Sequence, residues 1–231
     1  MKNEERTERE LSVYDHMKQC ILDGSIRYGE RFTEAQMAER LDVSRMPVRE
    51  AIMKLMYEGF IERGEKTGYR TKRLTEQDVI DTYVYRECLD GMLTRLFTHR
   101  SNPSQVYFLQ NLLGVMERVK EGEDEHAMAK VDFEFHRAIA RGAANPQMIP
   151  QFEILLEKTS YITSTLLGDN ALVSPSTYDG GMAAAIYEEH RLIVERILER
   201  DPDGAEAAAR ESARAGLQKI LAVLAVSYAS L

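Results

Sequence analysis

The stretch TEAQMAERLDVSRMPVREAIMKLMYEGF, residues 33–60, decides the fold. Thr33 followed by Gln36 has the form of a capping box, in which a hydroxyl and an amide each satisfy a backbone N–H at a helix start. The helix it opens is short and runs to about Leu41. Asp42-Val43 makes the turn. Ser44 is a suitable N-cap for a further helix through about Glu58. Pro47 is tolerated there because first-turn N–H groups have no intrahelical partner, and Gly59 ends the helix. On it Val48, Ala51 and Leu55 share one face, with Ile52 at its edge. Arg45 and Arg49, four residues apart, lie together on an adjacent face.

Upstream, Leu11, Tyr14, Met17, Ile21 and Leu22 recur with a helical period across residues 10–23, until Asp23-Gly24 and Tyr28-Gly29 break it. Downstream, Phe60–Arg63 and Tyr69–Lys72 read as two short strands around the tip Gly64-Glu65-Lys66-Thr67-Gly68. Three helices and a hairpin in about 65 residues form a winged helix-turn-helix. An arginine pair at the start of a capped helix suits major-groove readout, because a guanidinium fork bonds both O6 and N7 of guanine. The helix N-terminus can hold a backbone phosphate. Lys66, Thr67 and Gly68 are placed to approach a neighbouring groove or phosphate. Taken singly, Arg45 and Arg49 could instead be solvated surface charges.

After Leu74 the pattern is helical, with helices expected near 75–99, 103–121, 124–142, 146–167, 179–200 and 202–229. Asn102-Pro103, Asn145-Pro146, Ser174-Pro175 and Asp201-Pro202 are among the breakers. Long helices with short loops predict a bundle. The expectation is a mainly α protein of two domains, 1–74 and 75–231.

Composition is that of an ordinary soluble globular chain, and its net acidity argues at first against nucleic acid until its distribution is considered. Of 231 residues, 44% are hydrophobic and 29% charged, with net charge −8. Residues 1–74 carry 15 basic and 14 acidic side chains, leaving 15 and 24 for the remainder. Binding DNA needs a local basic surface, not a basic total. No apolar run approaches the roughly 18 residues that span a bilayer, so no membrane partner is expected. The charged start MKNEERTERELS predicts no secretory leader. Cys20 and Cys88 lie far apart outside any CxxC spacing, which fits a reducing cytoplasm; both read as small packing residues. Glycine-rich phosphate loops and a positioned nucleophile with its base are absent from the pattern.

Residues 11–73 resemble the DNA-binding domain of GntR-type regulators. The landmarks are Ile21, Gly24, Gly29, Leu41-Asp42-Val43-Ser44-Arg45, Pro47-Val48-Arg49-Glu50-Ala51, Leu55, Glu58-Gly59 and Gly68. The resemblance implies base contacts from Arg45 and Arg49, and phosphate or minor-groove contacts from Ser44, Thr67 and Gly68. Where many relatives have threonine before the proline, this chain has Met46, which departs from the family's base-reading pattern.

Residues 75–225 resemble the FCD domain, the helical sensing module of the FadR-type branch, in its six-helix form. Its motifs here are Arg86-x-x-Leu89-Asp90, Asp132-x-x-Phe135-His136-x-x-Ile139, Asn145-Pro146 and Glu189-His190-x-x-Ile193. The resemblance implies a homodimeric, ligand-responsive repressor that reads a double-stranded operator and senses a small organic acid or related metabolite. It also implies a divalent metal, of the zinc or nickel type, held by one aspartate and three histidines. Asp132, His136 and His190 occupy three of those positions; Ser212 stands at the fourth. Two readings stay open: a metal held by Asp132, His136 and His190, or core histidines hydrogen-bonded to Asp132 with no metal. Arg86 lies within an apolar stripe of Val79, Tyr83, Leu89 and Leu93, and a buried arginine needs a partner. That partner is either a protein carboxylate or the carboxylate of an effector, with Tyr83 and Ser212 as further effector contacts. A competing functional reading is a metal-dependent enzyme built on Asp132, His136 and His190.

Overall fold

The computed structural model describes residues 12–64, 67–122, 125–167 and 182–229. The chain divides into two compact units, Met1–Leu74 and Thr75–Leu231.

In the first unit, α1 (Val13–Leu22) is capped by Ser12, whose side chain accepts from the Asp15 N–H. After β1 (Arg31–Phe32), α2 (Glu34–Arg40) opens on the capping box of Thr33 and Gln36. α3 (Arg45–Glu58) ends at Gly59, which adopts φ 83°, a left-handed conformation that costs glycine little. β2 (Ile61–Arg63) and β3 (Tyr69–Thr71) form the expected hairpin. β1 adds a third strand, giving the antiparallel order β1-β3-β2 with Phe32 opposite Tyr69. Two residues are too few to show a period of two, so sequence periodicity missed it. β1 also explains Gly68, where a Cβ would stand 2.6 Å from the Phe32 carbonyl oxygen. Met17, Ile21, Val48, Ile52, Leu55 and Phe60 are buried and form the unit's core. The tip residues Glu65 and Lys66 lie outside the described residues.

The second unit contains α4 (Glu76–Arg100), α5 (Pro103–Gly122), α6 (Glu125–Gly142), α7 (Ile149–Leu167), α8 (Met182–Leu198) and α9 (Pro202–Ala229). Thr75 and Asp78 form a second capping box. Proline opens α5 and α9, where its missing N–H costs nothing. α7 starts three residues later than expected. The Asn145 side chain accepts from the Gln147 and Met148 N–H groups, and this local turn competes with the helix. The expected start of α8 at residue 179 falls outside the described residues.

α4 and α9 pack closely because their contact residues are small. A Cβ at Gly91 would strike the Arg210 side chain at 2.7 Å, and one at Gly216 would meet the Tyr83 ring at 3.0 Å. Leu93, Phe97, Leu109, Phe135, Phe152 and Ile193 are fully buried at the bundle's centre. Cys20 is half-buried, but Cys88 is exposed and does not pack as the sequence suggested. It lies one turn from Val84 and Met92, on the solvent side of α4.

Candidate functional site

α3 buries Val48, Ala51, Ile52, Leu55 and Glu58 and exposes Arg45, Met46, Arg49 and Glu50. Its amphipathic split therefore turns both arginines outward. Ser44 occupies the N-cap position, yet its side chain makes no capping hydrogen bond. Its hydroxyl is thus not engaged by the helix it precedes. Thr67 is exposed beside Gly68. The Tyr69 hydroxyl donates to Glu34 Oε1 at 3.0 Å, tying the wing to α2. The family motifs did not signal that contact.

In the second unit, one helical turn places Asp132 and His136 on the inner face of α6, together with Met128, Phe135 and Ile139. His190 lies on the inner face of α8 with Tyr187, Ile193, Val194 and Ile197. His190 Nε2 stands 3.0 Å from Asp132 Oδ1 and 3.2 Å from His136 Nε2. His136 Nε2 is 3.6 Å from the same Asp132 oxygen. Both rings are 1% exposed, whereas the Asp132 side chain is 26% exposed and marks the open side of the cluster. The Phe135 ring packs edge-on against both imidazoles.

The outer nitrogens decide the chemistry. His190 Nδ1 lies 2.7 Å from the Ile186 carbonyl oxygen, which can only accept, so this nitrogen carries the hydrogen. His136 Nδ1 lies 2.9 Å from Asp90 Oδ1. Burial alone would raise the Asp90 pKa. The neighbouring His136 and Arg86 outweigh burial and hold Asp90 below the usual carboxylate value, so it accepts. In the neutral rings, both Nε2 atoms would therefore present lone pairs to each other and to Asp132. Burial opposes charge on Asp132 as well, but His136 and His190 hold its carboxyl well below the ordinary range. With both rings neutral, three acceptors converge with no donor between them. A proton or a cation resolves that arrangement. For His136, burial and Arg86 disfavour the charged ring, yet the Asp90 and Asp132 carboxylates together outweigh them, and its pKa is pushed up to about 9. The ligand atoms of Asp132, His136 and His190 all lie within 4.8 Å of one another, and a histidine oriented by an outer carboxylate or carbonyl is a familiar metal ligand. The donor set fits a divalent ion.

Arg86 on α4 is buried, and its Nε donates to Asp90 Oδ2 at 3.0 Å. Burial would lower its pKa, but Asp90, Asp132 and Tyr83 keep it firmly charged. Its guanidinium carbon lies 5.8 Å from the centre of the Tyr83 ring. Asp90, which sequence reasoning recorded only as part of a motif, thus bridges Arg86 to His136. Its place four residues after Arg86 on one helix face could have signalled this. Ser212 on α9 is buried and donates to Glu189 Oε2 at 3.1 Å, and Glu189 also accepts from Lys219 Nζ at 2.6 Å. The structure thus joins Arg86 and Tyr83 through Asp90 to the histidines, while the polar partner it gives Ser212 is Glu189.

Residues 9–70 match the family described as bacterial regulatory proteins, gntR family, and residues 81–215, more than half of the chain, match the FCD domain. The chain is 27% identical to the "Probable D-xylose utilization operon transcriptional repressor" of Paenarthrobacter nicotinovorans, over 87% of this chain and 84% of the relative. It is 23% identical to the HTH-type transcriptional repressor GlaR of Escherichia coli, over 83% of this chain and 86% of the relative. Among solved structures, E. coli McbR/YncC shares the fold with a TM-score of 0.71 at 20% identity, covering 94% of this chain and 96% of its own. None of these likenesses supports the metal-dependent enzyme. A winged helix with an outward arginine pair and an FCD unit with six helices among its described residues, each matched by its own family, make this chain a GntR-family DNA-binding transcriptional regulator with an FCD sensing domain.

Proposed function

We propose that the chain is a cytoplasmic, homodimeric repressor whose FCD unit holds a divalent metal and releases operator DNA on binding a small carboxylate. The observation that carries the sensing half is the convergence of Asp132 Oδ1, His136 Nε2 and His190 Nε2 on one place, which a proton or a cation can occupy. These residues hold the ion, of the zinc or nickel type because two imidazoles supply it. When bound, it supplies positive charge that attracts an anionic effector. Arg86 and Tyr83 lie behind it, with Asp90 fixing the orientation of both Arg86 and His136. Ser212 on α9, which bonds Glu189, is a further contact for the effector. The names of the two relatives favour repression.

In the first unit, Arg45 and Arg49 read base edges, and Ser44, Thr67, Gly68 and Lys66 meet phosphates. A single winged domain makes too few contacts for tight specific binding, so two copies present two half-sites. Effector binding then favours one placement of the two reading units over another, which requires different affinity for the two states.

The test uses the full-length protein and its own promoter region. Arg49→Ala weakens specific binding by about 1–3 kcal/mol in a fluorescence-anisotropy titration at fixed salt, with circular dichroism unchanged. Elemental analysis finds one transition metal per chain. A panel of small carboxylates contains one that lowers DNA affinity in the metal-loaded protein. Activation of a reporter in place of repression overturns the sign. A metal-free protein that does not respond to added zinc or nickel overturns the metal.

A further inference from the structure

α3 carries an apolar side chain that its fold does not use. Met46 is 65% exposed although it lies between two arginines in the first turn. At 3.6 residues per turn it points almost directly away from Val48 and Leu55, which are fully buried. It shares a face with Arg49, three residues on. Met53 and Tyr57 are also exposed on this side, at 63% and 88%, but they sit about two and three turns further along α3.

A recognition helix enters the major groove by its N-terminal residues. The base edges there are mostly polar, and the one methyl group they carry is that at C5 of thymine. A methionine has three rotatable bonds and a polarisable sulfur, so it can fit such a group without a fixed geometry. We propose that Met46 reads a thymine methyl next to the base pairs contacted by Arg45 and Arg49, and is a specificity-determining residue of the operator-binding surface. This rests on the reading of α3 as the groove-entering helix. The chemistry also accounts for an exposed methionine that contributes nothing to the core: its apolar surface is buried only in the complex.

The discriminating probe is a duplex recovered from a random pool by the full-length wild-type protein. Each thymine of one half-site is then replaced singly by deoxyuridine, which removes the methyl group and leaves every hydrogen-bonding group in place. Burial of one methyl-sized group corresponds to about a four-fold change in affinity. Wild type loses that factor at one thymine per half-site and tolerates deoxyuridine elsewhere. Met46→Ala binds the parent duplex about four-fold more weakly and is indifferent to deoxyuridine at that position. Met53→Ala keeps the wild-type penalty. Met46→Ala folds normally, because the side chain is exposed and alanine favours helix. A half-site without thymine, tolerance of every deoxyuridine by wild type, or a penalty that persists in Met46→Ala overturns the assignment while leaving DNA binding intact. Failure of the wild-type protein to enrich any duplex overturns the reading of α3 itself, and the assignment with it.

Discussion

The two units each bury a polar cluster, and the clusters differ in whether donors and acceptors balance. In the winged-helix unit, the Tyr14 hydroxyl donates to Glu58 at 2.6 Å from Oε1 and 2.8 Å from Oε2. Lys18 Nζ bonds the Tyr14 oxygen at 2.8 Å and pairs with Glu58 at 2.9 Å. Lys54 Nζ lies 3.4 Å from the centre of the Tyr14 ring. Burial and the Glu58 hydrogen bond push the Tyr14 pKa up to about 12, so the phenol stays protonated and keeps donating. Here each donor meets an acceptor, and the cluster fastens α1 to the end of α3. In the FCD unit, Arg86 and Asp90 are similarly matched, but the chain of bonds runs on through His136 and ends where its Nε2, His190 Nε2 and Asp132 face one another. A balanced buried cluster is a structural joint. The other takes up a positive charge from outside the chain, either a proton on His136 or a cation in its place.

The largest expected effect comes from unbalancing the first cluster. Glu58→Ala strands the Lys18 ammonium in a buried site and costs about 3–5 kcal/mol in chemical denaturation. The double change Lys18→Met with Glu58→Leu removes both charges and restores most of that stability. If Glu58→Ala is harmless, the first cluster is not a joint. The second cluster responds in the opposite sense, to a ligand. Stripping the metal with a chelator lowers stability by about 4 kcal/mol when the free ion had stood at a thousand times its Kd. His136→Ala loses at least as much without chelator, because it also removes the bond to Asp90, and shows no further loss with it. A melting temperature that ignores chelator and added zinc alike would place the second cluster in the same class as the first.

Sequence made the first unit nearly fully legible, since its signals are local: the Thr33 capping box, the Gly59 stop, and the split of Val48, Ala51 and Leu55 from Arg45 and Arg49. What it missed there, β1 and the contact of Tyr69 with Glu34, depends on residues far apart in the chain. The helices of the second unit were legible for the same local reasons, except where Asn145 delays α7. Its polar centre was legible in part. The spacing of Asp132 and His136 on one helix face is local, but the link from Arg86 through Asp90 to His136 joins α4 to α6. Periodicity on a single helix identifies an inward-facing arginine without saying which carboxylate meets it. Cys88 went wrong for a related reason: a helix face turned to solvent and one turned to a neighbouring helix can look alike when both carry apolar residues.

The clusters also separate by pH. In the chelated protein His136 has a folded-state pKa of about 9, above its ordinary value of 6.5. A raised histidine pKa means the folded state binds the proton more tightly. The stabilisation is therefore complete below about pH 6.5 and disappears as the pH rises through 9. It is bounded at about 3 kcal/mol. Asp90 and Asp132, whose pKa values are lowered, act in the other direction and withdraw their stabilisation only below the ordinary carboxylate range. Denaturant midpoints of chelated protein should thus fall between pH 6.5 and 9. Metal-loaded protein should not follow that decline, because the ion displaces the same proton and binds more tightly as the pH rises. Parallel curves with and without metal would mean that proton and ion do not compete for one place.

The smallest effect tests whether Ser212 belongs to the second cluster. The Ser212 hydroxyl gives one hydrogen bond to Glu189, which keeps a second partner in Lys219. Ser212→Ala should then cost about 1 kcal/mol or less and leave metal content unchanged, since Glu189 is only partly buried and remains paired. Ser212→His distinguishes a neighbour of the cluster from a member of it. An imidazole here must give up the Glu189 contact, but it reaches further than a hydroxyl and adds a third nitrogen ligand. If position 212 faces the ion, competition against a chromophoric chelator shows tighter metal binding, and the melting temperature of metal-loaded protein rises while that of chelated protein does not. If metal affinity is unchanged and both forms lose stability equally, the α9 side of the site is a hydrogen-bonding wall, and the ion's remaining coordination positions open toward Asp132, the one ligand of the three that is partly exposed.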